Sequence, residues 1–230
     1  GAFVPNVEKA QELAQVMVDI GKDAGRKIVA LLSDMNQPLG HAIGNALEVK
    51  EAIAALQGDG PAGFWAHCLE VGGHMLRLAG KADSLDAGKA MITAVRDNGS
   101  AFAKFRDMVA AQGGDVAQVD NPDLLPSAQF IEQVVAPRSG WIAAMDTTAI
   151  GWANVRLGAG RLVKSDKIDH AVGMILPTKV GEQLEAGHIL GEIHANDFEK
   201  LATAREELLA AITWSDEPVE PLPHFYGTVA

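Results

Sequence analysis

Between Val7 and Ile20, apolar Ala10, Leu13, Ala14, Met17, Val18 and Ile20 return at steps of three and four, with Glu8, Lys9, Glu12 and Asp19 on the other side. That spacing predicts an amphipathic helix, ended near Gly21–Gly25. Lys27–Leu32 is short and aliphatic, the profile of a strand buried on both faces of a parallel sheet, so helix then strand predicts an α/β unit. Ser33–Asn45 is rich in Gly, Pro, Asn and Asp and reads as a loop at the strand's carboxyl end, where open α/β sheets place ligand sites. Next, Ala46, Leu47, Val49, Ile53 and Leu56 fall at helical spacing, with Asn45 as the expected N-cap and Gly58 as the stop. Pro61–Leu78, Ser84–Arg96 and Ser100–Ala111 carry the same periodicity, punctuated by Gly80-Lys81, Asp97-Asn98-Gly99 and Gly113-Gly114.

The pattern then changes. Gly113–Pro126 has the composition of a linker, and beyond it Gln129–Ala136 and Trp141–Met145 read as short strands around a Pro137–Gly140 turn. Thr147–Leu157 reads as a short helix ending in Gly158-Ala159-Gly160. From His170 to His194, Val/Ile/Leu runs punctuated by glycines suit a small twisted β-module with tight turns. Phe198–Ile212 is a last amphipathic helix, followed by an extended Pro218–Pro223 tail. The expected division is an α/β part over residues 1–113, a linker and connecting strand over 114–137, and a C-terminal module over 138–230. The fold class is α/β: a partial mixed sheet with flanking helices, plus a small C-terminal α+β module like a barrel-sandwich.

Composition narrows the function. With 48% hydrophobic and 21% charged residues the chain should bury a core, so disorder is excluded. A net charge of −11 without a Lys/Arg cluster would repel a phosphate backbone, which excludes nucleic acid as a partner. The longest apolar stretches, Ala10–Ile20 and Trp141–Val155, are broken well before the ~20 residues a bilayer needs, so no membrane partner is expected. Cys68 is the single cysteine and cannot form an internal disulfide; with no charged-then-apolar signal at the start, a reducing cytoplasm is the expected compartment. The opening Gly1-Ala2-Phe3-Val4-Pro5-Asn6 lacks an initiator Met and runs at once into helical periodicity, the expectation for a chain interrupted mid-fold.

The most suggestive chemistry lies in Asp34–Asn45. Glycines at 40 and 44 let the backbone turn sharply and direct carbonyl oxygens inward, and Glu48 or Glu51 on the following helix can join them around a hard cation. The bland alternative is an ordinary loop before a capped helix. The histidines at 41, 67, 74, 170, 188, 194 and 224 show no HExxH-type spacing. His67 and His74 lie two helical turns apart, which favours core or interface roles over a shared metal, and Cys68 on an apolar helix reads as packing. Asp146 before Thr147-Thr148 reads as an N-cap rather than an anion site. Gly158-Ala159-Gly160-Arg161 follows a helix instead of leading into one, so it reads as a C-cap and not a phosphate cradle. The segment Val172–Leu190 is similar to the barrel-sandwich of biotinyl and lipoyl carrier domains, but Lys179 lacks their hairpin-tip motif; a structural version is preferred, with a carrier or non-catalytic structural fragment as the alternative.

Ser33-Asp34-Met35-Asn36-Gln37-Pro38-Leu39-Gly40, with Gly44–Ala52, resembles a signature of thymidine and pyrimidine-nucleoside phosphorylases. The resemblance continues in order through Asp146–Gly151, Leu157–Arg161, Asp166–Gly173 and Ile193–Asp197, and so covers nearly the whole chain. It implies a pentosyltransferase that reversibly cleaves pyrimidine nucleosides with phosphate as co-substrate. The reaction would occur in a cleft between a small helical and a large α/β domain, in a parent enzyme that is a homodimer. No organic cofactor is implied. The family's phosphate loop, base-binding residues and active-site His have no counterpart here, so the resemblance carries over no catalytic or substrate-binding residue and implies that this chain alone is inactive. One family site does match: a structural potassium ion held by two backbone carbonyls and a glutamate, here Leu39, Ala42 and Glu51.

Overall fold

The structure, a computed structural model, describes Val4 and residues 6–230. The Gly1–Phe3 opening, on which the expectation of an interrupted chain rests, lies outside the described residues. Helix α1 spans Val7–Asp23 and starts where Asn6 Oδ1 accepts the Lys9 amide at 3.0 Å. Only Ala14, Val18 and Gly21 of its face are buried, while Leu13, Met17 and Ile20 of the expected apolar stripe face out.

Strand β1 is Ala30–Ser33, and it corrects the expectation of a doubly buried parallel strand. It is half-buried and pairs antiparallel with β9, Phe225–Val229, with Ala30 opposite Val229. Every strand pairing among the described residues is antiparallel, in a mixed α/β fold. A short aliphatic run such as Lys27–Leu32 does not by itself distinguish the two cases.

Within the expected loop, Ala42–Ile43 forms β2, and α2 follows over Asn45–Gln57. The N-cap is Gly44 rather than Asn45. Its φ of 143° and the Val172 carbonyl, 2.6 Å from where a Cβ would sit, admit only glycine. The Gly44 amide donates to Glu48 Oε1 at 3.1 Å, and the Ala46 amide to the His170 carbonyl at 3.0 Å, so donors that no cap side chain serves find partners elsewhere. At the other end Gly58 takes the expected left-handed turn.

Helices α3 (Ala62–Leu78), α4 (Leu85–Asp97) and α5 (Ser100–Ala111) match the periodicity, and α3 and α4 touch at Gly73 and Gly88. The expected linker contains α6, Ala117–Asp120, tied back by the Arg106–Asp120 ion pair at 2.8 Å, and a 3₁₀ turn at Pro122–Leu124.

Strands β3 (Phe130–Val135) and β4 (Gly140–Met145) flank the expected turn but do not pair with each other. A four-stranded sheet runs β2-β5-β7-β3, with β5 at Gly173–Ile175 and β7 at Ile189–Ala195. A three-stranded sheet runs β6-β4-β8, with β6 at Gln183–Leu184 and β8 at Ile212–Ser215. These are two small sheets, not a closed barrel. Helices α7 (Thr147–Asn154) and α8 (Phe198–Ala210) complete the module. Its core joins Ile142, Ile150, Met174, Leu190, Ile193 and Leu208, all at most 2% exposed. Asp146 Oδ1 caps α7 by accepting the Ala149 amide at 2.9 Å, as expected of that residue. The helix ends in a π-turn, Val155–Ala159, closed by Gly158 at φ 125°.

Candidate functional site

Asp34–Asn45 crosses from β1 to α2 with its peptide groups divided between two opposite charges. Glu51 Oε1, on α2, accepts the amides of His41 at 2.7 Å and Ala42 at 3.0 Å. The Lys179 ammonium, arriving between β5 and β6, donates to the carbonyls of Pro38 at 2.7 Å and Gly40 at 2.6 Å. Hydrogen bonds with one charged partner are the stronger kind, and Glu51 and Lys179 together make four of them to this short run. Neutral contacts extend the grip: the Leu176 amide donates to the His41 carbonyl at 2.7 Å and the Val180 amide to Gln37 Oε1 at 2.9 Å. Upstream, Asp34 Oδ1 accepts from the Asn36 side chain at 2.7 Å and from the Tyr226 hydroxyl at 3.1 Å. Thr147 Oγ1 donates to the Met35 carbonyl at 2.9 Å.

Burial pushes the Lys179 ammonium below its ordinary pKa, while the carboxylates of Glu51 and Glu182 pull it back up. His41 is lowered too, first by burial and then by Lys179, against the same two carboxylates. Together Asp34, Gln37, His41, Lys179, Glu182 and His224 line a cleft of about 420 Å³.

Of the three expected cation ligands, Leu39 and Ala42 lie on this turn and Glu51 on α2 is aimed at it, where its Oε1 meets the amide hydrogens of His41 and Ala42. His41 exchanges its carbonyl with Leu176, so in the alternation of an antiparallel ladder Ala42 falls at the next, non-bonded position. Its N–H points to Glu51 Oε1. Gly40 lies so close to Glu51 Oε2 that a Cβ there would collide with it. One carboxylate with main-chain carbonyls is an all-oxygen donor set, the kind that suits a hard cation.

The other candidates scatter. His67 stacks on Phe225 with ring centroids 4.9 Å apart, and His74 meets Glu70 at 3.3 Å on its own helix. Cys68 is half-buried and burial pushes its thiol pKa up, which is the state of a packing residue. Among the described residues no three His, Cys, Asp or Glu side chains gather as a metal site. Lys179 is pinned by carbonyls rather than displayed at a hairpin tip, against a carrier role. Its grip on residues 38 and 40 was not legible beforehand; the only local signal is a lone cation in the otherwise uncharged stretch Val172–Val180. Tyr226 was also missed, because the Pro-rich segment before it reads as the end of regular structure.

Comparison with known proteins yields two family matches. The a/b domain of a glycosyl transferase family matches residues 1–102, and the pyrimidine nucleoside phosphorylase C-terminal domain matches residues 141–215. A pyrimidine-nucleoside phosphorylase of Geobacillus stearothermophilus is 43% identical over 230 residues, which is 100% of this chain and 53% of that protein. One from Staphylococcus aureus (strain bovine RF122 / ET3-1) is 42% identical over 221 residues, 96% of this chain and 51% of that protein. No helix among the described residues is long and apolar enough to cross a membrane. Along its full length the chain is similar to pyrimidine-nucleoside phosphorylases, and it spans about half the length of the curated relatives it matches.

Proposed function

We propose that this chain is the scaffold portion of a cytoplasmic, homodimeric pyrimidine-nucleoside phosphorylase, with residues 1–113 in its α/β domain and 138–230 as its C-terminal module. The reaction is reversible: a phosphate oxygen bonds to the anomeric carbon as the bond from that carbon to the pyrimidine nitrogen breaks, giving free base and a pentose 1-phosphate. The observation that carries the reading is the 43% identity, running the full length of this chain, to a protein named for that activity. Phosphate needs free cationic and hydroxyl groups to hold it. Among the described residues, Lys179 is the only Lys or Arg lining the cleft of Asp34, Gln37 and His41, and its ammonium is committed to two carbonyls. We therefore expect the 230 residues alone to be inactive.

The assay is release of free base from uridine or thymidine in phosphate buffer. Base release is expected from the protein of the relatives' length and not from these 230 residues. Turnover by the 230 residues at an ordinary enzyme rate, about 1 per second or faster, would overturn the scaffold assignment.

Leu39, Ala42 and Glu51 would hold a structural potassium ion, which would supply positive charge that fixes the turn at the rim of the active cleft. Potassium in place of sodium should then raise the melting temperature, and Glu51→Gln should erase the difference. Sedimentation velocity of the protein of the relatives' length tests the dimer.

A further inference from the structure

The Lys179 side chain crosses from the C-terminal module to the turn before α2, and its ammonium ends on two main-chain carbonyls, Pro38 at 2.7 Å and Gly40 at 2.6 Å. Carbonyl oxygens two residues apart, converging on one cation, are the arrangement by which proteins bind free monovalent ions. An ammonium group is itself a compact cation with three donors. Two other hydrogen bonds flank the contact, the Leu176 amide to the His41 carbonyl and the Val180 amide to the Gln37 side-chain oxygen, so the lysine is not the turn's sole tie to this segment.

We propose that Lys179 is a tethered monovalent cation, and that the Pro38 and Gly40 carbonyls form a cation seat distinct from the Leu39, Ala42 and Glu51 set, which a small free ammonium ion can fill when the side chain is cut back. Lys179 is on this view a positioning residue: it holds the turn by charge, from a module that follows it by some 140 residues in sequence. The inference does not rest on phosphorolysis, and its readout is stability.

The test is thermal melting of the full chain as wild type and as Lys179→Ala, each in ammonium, methylammonium or tetramethylammonium chloride at equal ionic strength. The last has no N–H and is too bulky for the seat. Losing two charge-assisted hydrogen bonds should lower the midpoint by roughly 3–10 °C for a chain of this size. Ammonium or methylammonium should restore a third or more of that loss relative to tetramethylammonium, with no such difference in the wild type. A midpoint unchanged by Lys179→Ala, or a loss that neither small ammonium ion reduces, would overturn the proposal. If Lys179→Ala fails to fold, Lys179→Met keeps the stem and removes the charge: a lowered midpoint with native circular dichroism supports the seat, and a wild-type midpoint defeats it. Glu51→Gln in the Lys179→Ala background separates the two cation sites, since rescue by methylammonium should persist there while any potassium effect is lost.

Discussion

The C-terminal module and the helices α3–α5 are both rich in apolar residues but use them differently. In the module, two sheets and two helices enclose a core whose members run from Val134 to Ile212. In α3–α5 the buried positions are Gly73, His74 and Gly88, with none in α5, and Met75, Met91, Val95 and Met108 face outward. Helical periodicity thus reports which residues share a face, and says nothing of whether that face is covered. The module draws its stability from enclosure, whereas the helices depend on close backbone approach at Gly73 and Gly88 and on edge contacts such as Arg96 over the Trp65 ring at 4.2 Å.

The contrast breaks most easily inside the module. Leu190 is fully buried, so Leu190→Ala should cost about 3–4 kcal/mol in urea unfolding, while Met91→Ala, 44% exposed on α4, should change stability by no more than about 0.5 kcal/mol. Equal losses at the two positions would erase the distinction. Next in size is Gly40→Ala, where the new methyl meets Glu51 Oε2; a loss of about 1–3 kcal/mol is expected, halved or better when combined with Glu51→Ala, which removes the obstacle.

The smallest effect concerns charge on the open helices. Glu70 is held below the usual carboxylate range first by its hydrogen bond to Lys89, with His74 adding to it. A carboxyl depressed in the folded state contributes stability above its unfolded pKa and loses it as pH falls through the folded value. Melts from pH 7 to pH 3 should therefore show a steeper acid loss in wild type than in Glu70→Gln. Because the pair is partly solvated, the difference should stay below about 1 kcal/mol.

Much of this architecture was legible as residue spacing. The five longest helices fall where apolar residues recur at three and four, and the cap at Asp146 and the stop at Gly58 follow from their side-chain chemistry. Pairing was not legible. The run Ala30–Ser33 looks the same whether its neighbour is parallel or antiparallel, and β9 was overlooked although Phe225-Tyr226-Gly227-Thr228-Val229 alternates as a strand should. The candidate turn was found through its glycines and Glu51, but the sign of its contacts was not. A carboxylate near a loop can face amides or share a cation with carbonyls, and spacing alone does not choose. Lys179, some 140 residues away in sequence, can be assigned to the turn only in three dimensions.

The β1–β9 pair has a further consequence for how the protein is made. Ala30 lies opposite Val229, so β1 waits for a partner that leaves the ribosome almost 200 residues later. Closing so long a loop is entropically slow, so the pairing should form late. The enclosed core built from β3 to β8 can form first, leaving this strand pair as the last seam to close.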